Sequence, residues 1–223
     1  MKFIILAAGK GTRLGMTHPK PLTKLKTGET ILQRQIGFLS KYVNKKDIII
    51  VVGYKKELIM NEFPDCTFIF NPNYENTNTA KSLLCALDNN FDSDIIWING
   101  DVVFDSKVLI PILNSKKSCM LVNTESVSDE EIKYNLNNNG TIKQVSKTIN
   151  DGIGEAVGIN KILKNHIKQF IETLKQCGNQ DYFEYGIELL INRNINIYPI
   201  DISSILCMEI DFKEDLELIN KKL

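Results

Sequence analysis

The chain opens with Met1-Lys2-Phe3-Ile4-Ile5-Leu6-Ala7-Ala8-Gly9-Lys10-Gly11-Thr12-Arg13-Leu14, an apolar run that ends abruptly at glycines. The run is far shorter than the roughly 18 apolar residues a membrane-spanning helix requires, so it reads as a buried strand and not as a signal peptide or anchor. Glycines at the carboxyl end of such a strand let backbone N–H groups face a phosphate chain. Arg13, and Lys20 in the nearby Pro19-Lys20-Pro21-Leu22, could neutralise its charge. Other phosphate loops fit badly. There is no Gly-x-x-x-x-Gly-Lys-Ser/Thr, and Gly9, Gly11 and Gly15 miss the dinucleotide-binding spacing by one residue.

Working outward, short apolar runs at residues 3–8, 47–52, 67–70 and 94–99 read as buried strands. Between them, residues 30–42 place Ile31, Leu32, Gln35, Ile36 and Leu39 at helical spacing, and Asn78 can cap a helix carrying Leu83, Leu84 and Leu87. Strand, helix, strand, helix implies a parallel sheet with right-handed crossovers. The middle changes character, with short alternating segments at 118–124, 132–136 and 141–148, and Asn139-Gly140 reads as a hairpin turn. Helices are expected at about 161–175 and 181–193, then a strand at 196–201 and a last helix from Lys213. The predicted architecture is α/β: one domain, residues 1–223, with a mostly parallel central sheet flanked by helices and some antiparallel strands.

Composition narrows the partners. The 27 basic and 27 acidic residues cancel, so no broad attraction to nucleic acid or anionic lipid is implied, and any phosphate binding must be local. Five scattered cysteines without a Cys-x-x-Cys pair suggest neither a disulfide framework nor structural zinc, and favour a reduced, cytoplasmic chain.

The complete string Leu6-Ala7-Ala8-Gly9-Lys10-Gly11-Thr12-Arg13-Leu14 followed by Pro19-Lys20-Pro21-Leu22 resembles the signature of the nucleotidyltransferase superfamily, and with it a Rossmann-like nucleotidyltransferase fold. The nearest group is the phosphocholine cytidylyltransferase-like enzymes, which act on small phosphates or phosphonates. Leu32 to Ile36 with Val52-Gly53-Tyr54, Asn71 through Leu83, Asn99 through Asp105, and Glu209 through Leu216 extend the resemblance over nearly the whole chain. Only four residues, Gly15 to His18, separate Leu14 from Pro19, a shorter loop than is usual in that group and similar to some sugar-phosphate uridylyltransferases.

The resemblance implies roles. Leu6, Ala7, Ala8, Gly9, Gly11 and Thr12 would hold base and ribose through the loop, with Asn78 and Ser82 reading the base edge. Arg13 and Lys20 would contact the triphosphate and transition state, and Lys147 would meet the acceptor's phosphate. Asp101 and Asp211 would bind Mg2+, which is typically held by one or two carboxylates plus phosphate oxygens. Glu155, Tyr182, Glu184 and Tyr185 occupy acceptor positions, where carboxylates beside aromatics suit a cationic or hydroxylated acceptor. Relatives often have an aspartate where this chain has Tyr185.

Read alone, Asp101 could satisfy a turn, Asp211 and Asn78 could cap helices, and Lys147 could be a solvated strand residue. His18 reads as an exposed loop residue, and His166 has no partner pattern. The expected activity is transfer of a nucleotidyl group, CMP from CTP first, to a small phosphorylated or phosphonate acceptor with release of pyrophosphate. The alternative is a sugar-1-phosphate nucleotidyltransferase using UTP, dTTP or GTP. A catalytically dead nucleotide-binding regulator is disfavoured because Arg13, Lys20, Asp101 and Asp211 are all present. Neither nucleic acid nor membrane is expected as a partner, and homo-oligomerisation stays open.

Overall fold

The computed structural model describes residues 1–87, 91–125 and 131–223, apart from the side chain of Thr12. The first half alternates strand and helix: β1 (Lys2–Ala7), α1 (Ile31–Leu39), β2 (Ile48–Val52), α2 (Lys56–Glu62), β3 (Thr67–Phe70), α3 (Thr79–Ala86) and β4 (Ile95–Asn99). There follow β5 (Val102–Phe104), α4 (Leu109–Asn114), β6 (Cys119–Asn123), β7 (Lys133–Leu136), β8 (Ile142–Ser146) and β9 (Gly154–Ile162). The chain then continues through α5 (Ile167–Gln176), α6 (Phe183–Ile191), β10 (Tyr198–Asp201), β11 (Cys207–Glu209) and α7 (Lys213–Lys222).

The main sheet has the order β3-β2-β1-β4-β9-β6-β10, parallel except for β9, which runs antiparallel to both β4 and β6. The period of two along β1 explains its unbroken hydrophobicity. Ile4, Leu6 and Ala8 face one core with Leu83 of α3, Phe170 of α5 and Phe183 of α6, while Phe3, Ile5 and Ala7 face another with Leu32 and Ile36 of α1 and Ile112 of α4. A strand covered on both faces has no polar side to present, and each of its isoleucine, leucine and phenylalanine side chains contributes about 1.5–3 kcal/mol on burial. Helix α1 starts at a capping box: Thr30 Oγ1 accepts from the Gln33 amide at 3.1 Å and Gln33 Oε1 accepts from the Thr30 amide at 2.7 Å. A third, small core of Leu14, Leu25, Ile31, Val103, Ile210 and Ile219 ties the segment after the glycine loop to the β5–β11 pair and α7.

Two expectations need correction. Residues 67–70 form a strand, but an edge strand that pairs only β2 and is half-exposed, with Lys56 Nζ 3.6 Å from the Phe70 ring centre. The helix expected from 161 starts at Ile167, because Lys161 ends the nine-residue β9. Gly154 and Gly158 lie within that strand and are required by close neighbours: a Cβ on Gly154 would lie 2.6 Å from Asn123 O. Lys161, buried, spends its ammonium on the Ile112, Leu113 and Ser115 carbonyls that end α4. The hairpin turn expected at Asn139-Gly140 is present, within a five-residue connection between the antiparallel β7 and β8. Only Gly140 has positive φ, 76°, the Gly140 amide donates to Asn137 O at 2.9 Å, and Asn139 Oδ1 accepts from the Thr141 amide. All five cysteines are unpaired.

Candidate active site

The carboxyl ends of β1 and β4 lie side by side, and the chain leaves each through glycine. The Gly100 amide donates to Leu6 O at 2.9 Å and the Tyr54 amide to Ala8 O at 3.0 Å, so the strand end is held from both sides. Gly11, at φ 59°, makes room for Lys20: a Cβ there would lie 2.7 Å from Lys20 Cβ. Lys20 is almost fully buried, and its ammonium donates to Asp101 Oδ2 at 2.7 Å and to Asp211 Oδ1. Burial alone would lower its pKa, but the Asp101 and Asp211 carboxylates outweigh burial and hold it above the ordinary lysine value. Arg13 reaches Asp211 Oδ2 at 3.1 Å and lies 5.5 Å from the Phe212 ring centre. Asp211 sits just ahead of α7, whose Asp215 carboxylate accepts the Asp211 and Phe212 amides at 2.9 and 2.8 Å.

These residues wall a cleft of about 330 Å³. Leu6, Ala7, Gly9, Gly11, Arg13 and Lys20 form one side, joined by Asn78, Asp101 and Asp211. Lys147, Tyr182 and Glu184 also line the cleft. There Lys147 Nζ lies 5.0 Å from the Tyr182 ring centre. Glu184, in the first turn of α6, is 4% exposed and its Oε2 has no hydrogen-bond partner. Burial, against small opposition from its own amide and Lys147, pushes its pKa up to about 8.

Some expected residues lie elsewhere. Ser82 is buried, its hydroxyl bonded to Asn71 Nδ2 at 3.1 Å, and does not line the cleft. Ala8 is likewise buried behind the wall, and Tyr185 is exposed on the outer side of α6. Thr12 lies in a short helical turn with Arg13 and Leu14, its side chain outside the described atoms. Glu155 opens into an adjoining chamber of about 800 Å³, where Asn123 Nδ2 donates to its Oε1 at 3.3 Å. Asn78 keeps both of its roles open: its side chain accepts from the Thr79 amide at 2.8 Å, capping α3, while the residue lines the cleft. His18 bonds Pro19 O, and His166 has a partner the sequence did not reveal, Ser118 Oγ at 2.8 Å.

Two acidic residues given no role from sequence, Glu131 and Glu209, face both the cleft and the chamber. Glu209 accepts from Asn99 Nδ2 at 2.9 Å, and burial followed by the Asp101 charge holds its pKa well above the usual carboxylate range. Burial also raises that of Glu131. The signal for Glu209 was its place two residues before Asp211, while Glu131 had none.

Among the described residues no helix is long and apolar enough to cross a membrane. The fold is shared with the inositol-1-phosphate CTP transferase from T. maritima (TM-score 0.79, 18% identity, 99% of this chain and 93% of that one). It is also shared with the CTP:phosphocholine cytidylyltransferase from Streptococcus pneumoniae (TM-score 0.76, 20% identity, 99% and 98%). In sequence, the chain is 32% identical over 203 residues to the bifunctional protein GlmU of Methanococcus aeolicus, covering 87% of this chain and 48% of that protein. It is 33% identical over 118 residues to the CMP-5'-(3-aminopropyl)phosphonate synthase of Streptomyces rubellomurinus, covering 49% and 18%. The chain therefore spans less than half the length of these curated relatives. Residues 3–125, more than half the chain and the part that holds the glycine loop, Lys20 and Asp101, match the MobA-like NTP transferase domain, and the chain belongs to that family.

Proposed function

We propose that the protein transfers a nucleotidyl group, CMP from CTP, to a small phosphorylated or phosphonate acceptor and releases pyrophosphate. The observation that carries this reading is the convergence of Lys20, Arg13, Asp101 and Asp211 on one point beside the glycine loop. In such a reaction an acceptor oxyanion attacks the α-phosphorus, a new P–O bond forms, and the bond to the bridging oxygen breaks as pyrophosphate leaves. The protein's part is positioning and charge neutralisation. Lys20 and Arg13 would take the phosphate charge, the loop amides the nucleotide, and Lys147 the acceptor's phosphate or phosphonate.

Asp101 and Asp211 fit a divalent cation, because their oxygens already converge on a single cationic atom, Lys20 Nζ. Mg2+ held there would neutralise phosphate oxygens. Tyr182 with the acidic residues Glu131, Glu184 and Glu209 that line the same cleft supports an acceptor that carries an ammonium or hydroxyl group. A cytoplasmic enzyme supplying a CDP-linked precursor for cell-surface polysaccharide or lipid is the matching setting. The short loop from Gly15 to His18 favours a second reading, a sugar-1-phosphate acceptor with UTP, dTTP or GTP.

Pyrophosphate release with Mg2+ tests both, using five nucleoside triphosphates against phosphorylated amines, phosphonates, polyol phosphates and sugar-1-phosphates. CTP-selective release with a non-sugar acceptor supports the first reading. Release confined to a sugar-1-phosphate with UTP, dTTP or GTP replaces it with the second.

A further inference from the structure

We infer that Gln35 is a positioning residue for Asp101: its side-chain amide clamps both ends of the turn that carries that carboxylate. The inference rests on the nucleotidyl-transfer reading above for its kinetic consequence, though not for its geometry.

Helix α1 packs on the sheet through Ile31, Leu32, Gln35, Ile36 and Leu39, and Gln35, 1% exposed, is the polar member of that face. Its Nε2 donates to Asn99 O at 2.9 Å and to Val102 O at 2.8 Å, the carbonyls on either side of Gly100-Asp101. One NH2 group thus uses both protons to fix the last residue of β4 and the first of β5. Its Oε1 stays buried without a partner. An unpaired buried carbonyl opposes folding, so packing alone is better served by leucine or methionine at this place. The two donated bonds give the amide a reason to be there.

The rest of the turn is held at other points. The Gly100 amide bonds Leu6 O, and Asp101 O accepts from the Ile210 amide at 3.0 Å, one residue before Asp211. A Cβ on Gly100 would lie 2.7 Å from Leu6 O and 2.9 Å from Pro21 Cγ, so the turn is pressed against the segment that bears Lys20. Gln35 closes the remaining side. With the clamp in place Asp101 Oδ2 is set 2.7 Å from Lys20 Nζ. Without it, the outward carbonyls of Asn99 and Val102 lose their only side-chain donor on α1, and the carboxylate is free to swing. A displacement of about 1 Å at a charge-positioning group is enough to cost of order tenfold or more in rate.

The test is a double-mutant cycle with Gln35→Met, which keeps length and volume, and Asp101→Asn. Gln35→Met is expected to lower kcat about tenfold or more, with KM for the nucleotide within about threefold. In the Asp101→Asn background it should cost less than about twofold further, since a residue acting through Asp101 has nothing left to position. Hydrogen exchange of residues 99–102 should quicken in Gln35→Met whatever the activity. If Gln35→Met fails to fold, Gln35→Glu, whose acid form keeps one donor, enters the same cycle. Independent, multiplying losses in the two backgrounds, or unchanged exchange at 99–102, overturn the inference. An inactive wild type would instead remove the nucleotidyl-transfer reading and leave the clamp to be judged by exchange alone.

Discussion

The Lys20 ammonium lies 2.7 Å from the Asp101 carboxylate, 81 residues along the chain, and also bonds Asp211, 191 residues along. A residue that follows the glycine loop therefore joins the carboxyl end of β4 to the segment ahead of α7. The same ammonium is sequestered from solvent, so its charge acts in a setting where it is worth more than on an open surface.

Replacing Lys20 with alanine should lower turnover by about a hundredfold to a thousandfold. The folded chain should persist but lose about 1–3 kcal/mol near neutral pH, because Asp101 and Asp211 then face each other without their shared cation. Pyrophosphate release and urea denaturation read the two effects, and wild-type turnover would remove Lys20 from the reaction.

Glu184 should give the fold a distinctive pH dependence. Its folded pKa of about 8 is above the ordinary 4.5, so between those values the folded state binds more protons than the unfolded one. Its contribution is fully present below about 4.5, falls as pH rises, and is lost above about 8, a change of a few kcal/mol at most. Glu184→Gln should flatten that slope and be more stable than wild type at pH 9. Parallel denaturation curves for the two proteins from pH 5 to 9 would show instead that the carboxyl is not held protonated.

Gly158→Ala and Gly140→Ala separate backbone strain from crowding. Both glycines have positive φ, 69° and 76°, but an added Cβ meets nothing at Gly140, whereas at Gly158 it lies 2.6 Å from Glu209 Oε1 and 2.8 Å from Asn99 Nδ2. Gly140→Ala should cost about 1 kcal/mol. Gly158→Ala should cost about 2 kcal/mol or more and also raise KM for the acceptor. Equal urea midpoints would mean Glu209 is not held where it lies.

Trp97, the sole tryptophan, stacks on Phe170 at 5.3 Å and meets Phe183 edge-on at 5.3 Å. Trp97→Ala should cost about 3–5 kcal/mol. Trp97→Phe should cost much less, since the indole N–H has no partner to lose. Wild-type emission should be blue-shifted and move red only with global unfolding; a red native spectrum would contradict this burial.

What the sequence carried was local or periodic. The apolar run of β1, the helical spacing of α1, the Asn78 cap and the loop string from Leu6 to Leu22 each express a preference that acts within a few residues, and the structure realises them. The candidate site residues Arg13, Lys20, Asp101, Lys147 and Asp211 could be named on a different ground: each stands in a short string that resembles the nucleotidyltransferase signature.

Tertiary structure decided what depends on residues far apart. Strand β9 pairs between β4 and β6 despite two glycines because the neighbours that fill their space come from β6, β7, β11 and Asn99. Ser82 turned inward because Asn71 took its hydroxyl, and Gln35 became a clamp only when α1 met the β4–β5 turn. Glu131, Glu184 and Glu209 came to line one cleft only when three distant segments closed around it. A pKa, a vacant Cβ position and a buried unpaired oxygen are properties of a neighbourhood, and the chain's order of residues fixes the neighbourhood only through the fold.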